Sequence, residues 1–208
     1  KAGQFDDAQK WLQEVPTQGL AKYSRPIASA WIGAGLEEYT AAIKSLEPLS
    51  KESGFGSLTD LHLALLHELS GKPDDEIALA LVDESDIFGW TARLKGPADS
   101  PYAAGTFTLA IRCAPNYPLT PPSVTFVTPI FHPNVLFKTG EICLDILKPE
   151  SWTPAWTLQS VCRAVAALLS HPEADSPLNC DCGNLIRSGD LRGYRSMARM
   201  YTALHAAG

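Results

Sequence analysis

The sequence has no apolar run approaching the roughly 20 residues that a membrane-crossing helix needs, so membrane association has to come through a partner. Positive charge is scarce. Lys and Arg total 17 against 23 Asp and Glu, a formal charge of −6. That balance counts against nucleic acid as main partner, because phosphate binding needs a basic face. The five cysteines are odd in number and lack framework spacing, which points to reduced thiols in a cytosol-like compartment rather than disulfides. The first residue is Lys1 rather than Met, which leaves room for residues upstream, and the end, Ala206-Ala207-Gly208, is not a Ser-Lys-Leu import tail. What is present, 208 residues of which 45% are hydrophobic, suits one domain of ordinary size with an appendage and a sizeable core.

Two zones differ in texture. Residues 1–56 read as helical pieces broken by Pro16, Pro26, Pro48 and several glycines. Phe5, Ala8, Trp11, Leu12 and Val15 fall on one helical stripe, and Leu36, Tyr39, Ile43 and Leu46 on another. The first piece is faintly similar to one helix of a tetratricopeptide repeat; the plainer reading is an amphipathic helix packed on the main domain. From residue 57 the pattern becomes orderly. Ser57 or Thr59 caps a helix carrying Leu61, Leu65, Leu66 and Leu69, stopped by Gly71 and Pro73. Strand-like runs follow at 76–83, 88–96, 105–113 and 123–129, with turns at Asp83–Asp86 and Gly96–Pro101 and no helix between them. Short connections predict an antiparallel meander. Residues 157–172 form a strong helix burying Leu158, Val161, Val165, Leu168 and Leu169, and shorter helices follow at 182–187 and 190–206. The expected class is α+β: a four-stranded antiparallel sheet with a helix before it and helices after it, plus a helical N-terminal extension (1–56) ahead of the main domain (57–208).

Between His132 and Leu158 little regular structure is expected. Pro129, Pro133, Pro149 and Pro154 interrupt it, and Gly140 permits a tight bend. A long irregular segment in a compact domain is usually functional. Cys143 stands in it with no histidine nearby in sequence to activate it. Zinc is disfavoured, since Cys143 and His132 are spaced wrongly for the common fingers and Cys180-x-Cys182 lies far along the chain. A Cys–His hydrolase has no local signature here. Acyl carriage is the third chemistry: a thiol that accepts an acyl group from another thioester needs no strong base, because the exchange is nearly balanced. It needs a donor for the oxyanion, and the Asn134 amide suits that. Losing one such donor typically costs about 3–4 kcal/mol in the barrier.

His132-Pro133-Asn134, then Gly140-Glu141-Ile142-Cys143-Leu144-Asp145-Ile146-Leu147, then Trp152-Thr153-Pro154-Ala155 resemble the active-site region of ubiquitin-conjugating enzymes. Tyr117-Pro118-Leu119-Thr120-Pro121 and Ser176-Pro177-Leu178-Asn179 fall where that family has its proline-rich turn and gate segment, so the resemblance covers about residues 57–208. The connection from Asn134 to Cys143 is one residue longer than in the commonest members, which is similar to the peroxisomal (peroxin-4) type described in fungi. The resemblance implies the ubiquitin-conjugating-enzyme fold, with Cys143 carrying ubiquitin as a thioester received from the activating enzyme and passing it on through a RING-type ligase. It further implies a membrane-anchor partner at the cytosolic face of peroxisomes and a cargo-import receptor as substrate. It implies no metal and no small cofactor in this chain; ATP is used by the activating enzyme.

The resemblance also suggests roles. Asn134 donates to the oxyanion or braces the loop of Cys143. His132 is a structural residue that bonds backbone and holds Asn134. Asp145 and Ser176 flank the incoming amine, and Ser176 stands where many relatives have Asp, so phosphate there would restore a negative charge. Leu119, Pro121, Thr153, Pro154 and Ala155 belong to two neighbouring loops that dock the ligase, with Trp152 packed between loops and active site and Trp156 partly exposed. Cys113 and Cys162 read as packed, and Cys180 with Cys182 as packed or, alternatively, a redox pair. Two departures stand out. The first helix of the family is usually rich in Lys and Arg, whereas residues 58–71 contain neither. Residues 1–56 have no counterpart in the family. Two other readings stay open: a non-catalytic scaffold of the same fold, against which Cys143 and Asn134 argue, and conjugation of another modifier such as SUMO, whose enzyme is strongly basic.

Overall fold

The computed structural model describes residues 2–15, 17–19, 21–52, 59, 62, 63, 65, 66, 70, 74–83 and 85–207. The chain divides into two compact units, Lys1–Lys72 and Pro73–Gly208.

In the first unit α1 spans Ala2–Glu14, α2 Ala21–Gly35, α3 Tyr39–Ser45 and α4 Glu47–Ser50. Thr59, His62, Leu63, Leu65 and Leu66 are also helical. Ser57, Leu61, Leu69, Gly71 and Pro73 lie outside the described residues. Ala30, Ala34, Ala42, Leu46, Leu49 and Leu66 form the core. Small residues set its spacing: a Cβ on Gly33 would sit 3.2 Å from the Ala42 Cβ, so α2 and α3 approach closely. Trp31 Nε1 donates to His62 Nδ1 at 2.9 Å, tying α2 to the following helical turn.

Three expectations for this unit need correction. Pro26 lies inside α2 rather than breaking it. It forgoes one backbone bond, typically a cost of about 3 kcal/mol, which the buried face at Ala30, Gly33 and Ala34 offsets. Pro48 sits in the first turn of α4, where a missing N–H costs nothing. Trp11 is not on the buried stripe: it is 66% exposed, while Leu12 is buried and Phe5 packs on Gly35. In the second piece Leu46 is buried and Tyr39 and Ile43 pack against the core as expected, joined by Ala42 and Leu49, while Leu36 lies in the turn before α3.

The second unit is built on an antiparallel sheet in the order β1-β2-β3-β4, from Ile77–Leu81, Gly89–Lys95, Thr106–Arg112 and Ser123–Phe126. Period-two alternation sends Trp90, Ala92, Leu94, Phe107, Leu109, Ile111, Val124 and Phe126 to one buried face. Against β1 and β2 packs α5, Leu158–Ser170, through Leu158, Val161, Cys162, Val165, Leu168 and Leu169. Its start is a capping box: Thr157 Oγ1 accepts from the Ser160 N–H and Ser160 Oγ from the Thr157 N–H. The helices α6 (Cys180–Arg187) and α7 (Leu191–His205) are capped by Asn179 and Asp190. The chain end returns to the sheet, with the Thr106 N–H donating to the Ala206 carbonyl.

After β4 the chain turns through a tight hairpin, bridged at Val135 and Ile142. The Gly140 N–H donates to Leu136 O, and Gly140 O accepts from the Phe126 N–H. Gly140 has φ +73°, and a Cβ there would lie 1.9 Å from Phe126 O. Only glycine fits. The substitution Gly140→Ala is expected to lower stability by about 2 kcal/mol or more, read as a shift of the urea midpoint with an unchanged m-value.

Candidate active site

The hairpin delivers Cys143 beside Asn134: the Cys143 N–H donates to the Asn134 carbonyl at 2.8 Å. The thiol is half-buried, and a short 3-10 turn, Asp145–Leu147, follows it.

Residues 132–134 are clasped to the last turn of α5 and to the connection between α5 and α6. His132 is fully buried; its Nδ1 accepts from the Asn134 N–H at 3.1 Å, so Nε2 carries the proton and donates to Leu168 O at 3.1 Å. Burial pulls its pKa down to about 4, only partly opposed by the Leu168 bond. The imidazole is therefore neutral near pH 7, with both nitrogens occupied. The Asn134 amide, also buried, pairs both ways with the Glu173 backbone: Nδ2 donates to the Glu173 carbonyl and Oδ1 accepts from the Glu173 N–H, each at 2.9 Å. The Asn179 N–H donates to Pro133 O at 3.0 Å. Tyr102, which the sequence reading did not single out, supports the segment from below. Its hydroxyl donates to Phe131 O at 2.7 Å, lies 3.1 Å from the Tyr194 hydroxyl, and its ring sits 5.9 Å from that of His132.

Asp145 and Ser176 are both exposed. Asp145 is engaged: Lys148 Nζ lies 2.6 Å from its Oδ1. That pair was absent from the sequence reading, although three-residue spacing across a turn could have signalled it. The two proposed docking loops are joined. Trp152 Nε1 donates to the Pro118 carbonyl at 2.7 Å, and its ring packs on Tyr117. This holds Leu119, 55% exposed, near exposed Thr153, Pro154 and Ala155, with Pro121 half-buried. Trp156 is half-buried.

Cys113 and Cys162 are buried. Cys180 is exposed and Cys182 buried, its thiol pushed up to about 12 by burial; two residues apart on α6, they face away from each other. Among the described residues no group of three or more His, Cys, Asp or Glu side chains could hold a metal, and no helix is long and apolar enough to cross a membrane.

Residues 62–202 match the family model of the ubiquitin-conjugating enzymes. The chain belongs to the ubiquitin-conjugating enzyme family. It is 64% identical over 133 residues to Protein PEROXIN-4 of Arabidopsis thaliana, covering 64% of this chain and 83% of that one. It is 60% identical over 137 residues to the ubiquitin-conjugating enzyme pex4 of Dictyostelium discoideum, covering 66% and 91%. Among solved structures, a putative ubiquitin conjugating enzyme of Plasmodium yoelii superposes with a TM-score of 0.65 at 36% identity, covering 76% of this chain and 99% of that one. As a ubiquitin-conjugating enzyme of the peroxin-4 type, the protein has the expected α+β fold with its four-stranded antiparallel sheet.

The buried, neutral His132 makes stability pH-dependent. In the unfolded chain the imidazole takes its proton near the ordinary 6.5, in the folded chain only near 4. Its contribution is full above pH 6.5 and is lost as pH falls toward 4, on the order of 3 kcal/mol at most. Burial lowers the pKa of His62 as well, with the same sign. The denaturation midpoint is expected to fall between pH 6.5 and 4, while the His132 imidazole NMR signals stay unshifted between pH 7 and 5.5.

Proposed function

We propose that Cys143 accepts ubiquitin from the activating enzyme as a thioester and, with a RING-type ligase, passes it to a peroxisomal import receptor so that the receptor is recycled. The observation that carries the reading is a half-exposed thiol whose own backbone N–H is bonded to the Asn134 carbonyl, in a segment whose histidine, His132, is buried with both ring nitrogens engaged. Thioester exchange has little need of one. The His132 nitrogens are both committed, which suits a positioning residue rather than a general base. The two hydrogen bonds of the Asn134 amide to the Glu173 backbone favour bracing; oxyanion donation would require that amide to turn partly toward the thioester. Asp145 and Ser176 flank the approach of the attacking amine.

The peroxisomal part rests on similarity to proteins named peroxin-4 and pex4. Lacking a described span, the protein is held at the cytosolic face of the membrane by an anchor protein. The ligase docks on Leu119, Pro121 and Thr153–Ala155, where proline-stiffened loops present an apolar residue at low entropic cost. ATP is consumed by the activating enzyme, and no cofactor acts in this chain.

The test mixes the protein with activating enzyme, ATP and ubiquitin and runs gels with and without reductant. A reductant-sensitive adduct is expected, lost in Cys143→Ala; its persistence in that variant would sink the assignment. With a cognate ligase present, Leu119→Ala is expected to slow discharge about tenfold, ~1.4 kcal/mol, in a single-turnover assay.

A further inference from the structure

Bonds to Leu168, Glu173 and Asn179 hold residues 132–134 from the side of α5 and α6. The residue before them, Phe131, is held from elsewhere. Its carbonyl accepts the Tyr102 hydroxyl at 2.7 Å, and its ring stacks on Tyr201 of α7 at 5.6 Å between centres. Tyr102 has a single O–H, and Phe131 takes it. The Tyr194 hydroxyl, 3.1 Å away, therefore donates to the Tyr102 oxygen. A directed relay results, from Tyr194 on α7 to Tyr102 and from Tyr102 to the Phe131 backbone. Tyr102 is fully buried and Tyr194 nearly so. Burial raises the pKa of Tyr102 and pushes that of Tyr194 up to about 12, so both keep their protons near neutral pH. The loop that carries Tyr102 is itself closed. The Tyr102 N–H donates to Ser100 Oγ at 3.2 Å, and the Gly105 N–H to the Tyr102 carbonyl at 2.9 Å. A Cβ on Gly96 would lie 1.8 Å from that carbonyl oxygen, so the loop closes only over a glycine. The phenol ring meets the rings of Phe107 and His132, each at 5.9 Å between centres. With its backbone tied and its ring packed, the hydroxyl is a fixed point.

Resting on the reading of Cys143 as thioester carrier, we propose that the Tyr102 hydroxyl is a positioning group for the transfer of ubiquitin, with Tyr194 orienting it. Fully buried, it acts through the backbone. By fixing Phe131 O it fixes the start of the 132–134 segment. That segment sets the Asn134 carbonyl, which receives the Cys143 N–H, and the Asn134 amide beside it. Removing the hydroxyl alone takes this partner from both Phe131 O and the Tyr194 hydroxyl, and buried polar groups that lose a partner shift toward another. A misplacement of about 1 Å at a reacting group can cost on the order of a hundredfold in rate. The bonds to Leu168 and Glu173 remain, so the loss here is smaller. The chain end completes the arrangement: the Thr106 N–H donates to Ala206 O, which joins the end of α7 to the strand that follows the Tyr102 loop. The position of α7 is thus read out at the segment before Cys143.

The experiment charges the full chain with activating enzyme, ATP and ubiquitin, stops activation, adds free lysine, and follows loss of the thioester in a single turnover. Tyr102→Phe, Tyr194→Phe and a control, Thr202→Val, are compared with the unaltered chain. The control removes a buried α7 hydroxyl that bonds within its own helix, to Ala198 O at 2.8 Å. Tyr102→Phe is expected to slow discharge about tenfold and Tyr194→Phe about threefold, in the rate constant and not in the lysine concentration for half-maximal rate. Thr202→Val should lower thermal stability without slowing discharge. Hydrogen exchange at the Cys143 N–H should quicken in both tyrosine variants by more than their loss of global stability accounts for. Full-rate discharge by a folded Tyr102→Phe chain overturns the inference, as does an equal slowing by Thr202→Val at equal loss of stability. Should Tyr102→Phe not fold, full-rate discharge by Tyr194→Phe overturns it instead. In each case a thioester still forms, so Cys143 stands as carrier. Absence of any reductant-sensitive adduct in the unaltered chain overturns both.

Discussion

The paired hydrogen bonds between the Asn134 amide and the Glu173 backbone are the constraint on which the site depends. They join two stretches 39 residues apart, the segment before the hairpin and the connection between α5 and α6. The surrounding bonds repeat the join: His132 to Leu168, and Pro133 to Asn179. Buried polar groups are costly when unpaired, so each bond also holds its neighbours in register. Because Asn134 is anchored in this way, its carbonyl stays placed to receive the Cys143 N–H. That backbone contact sets the place of the residue that bears the thiol.

A similar economy governs the neighbouring surface. One indole bond, Trp152 to Pro118, brings the Leu119 loop beside Thr153–Ala155. Charge near the thiol is set by the Asp145–Lys148 pair, both members exposed, and an exposed pair contributes little to stability.

The first unit poses a different problem. The family match begins at residue 62, yet Leu66 lies in the same core as Ala30, Ala34, Ala42, Leu46 and Leu49. The start of the matched region thus shares its packing with the extension. The boundary between compact units falls after Lys72.

The sequence by itself determined the four strands, the long helix at 158–170 with its buried leucines and valines, and the candidate thiol. Each is written in local periodicity or in a motif whose residues lie close together. It is less informative at 1–56, where proline reads as a breaker: whether Pro26 ends a helix depends on how much burial its later turns gain, and that is a tertiary quantity. Trp11 escaped the stripe for the same reason, since a helical face is buried only where another element covers it. Tertiary structure alone decided that Asn134 pairs with Glu173, that His132 is neutral, that Tyr102 supports it, and that Lys148 holds Asp145. The first three rest on contacts between residues distant in the chain and on the exclusion of water around them. The last requires a particular turn to close, and spacing permits that turn without compelling it.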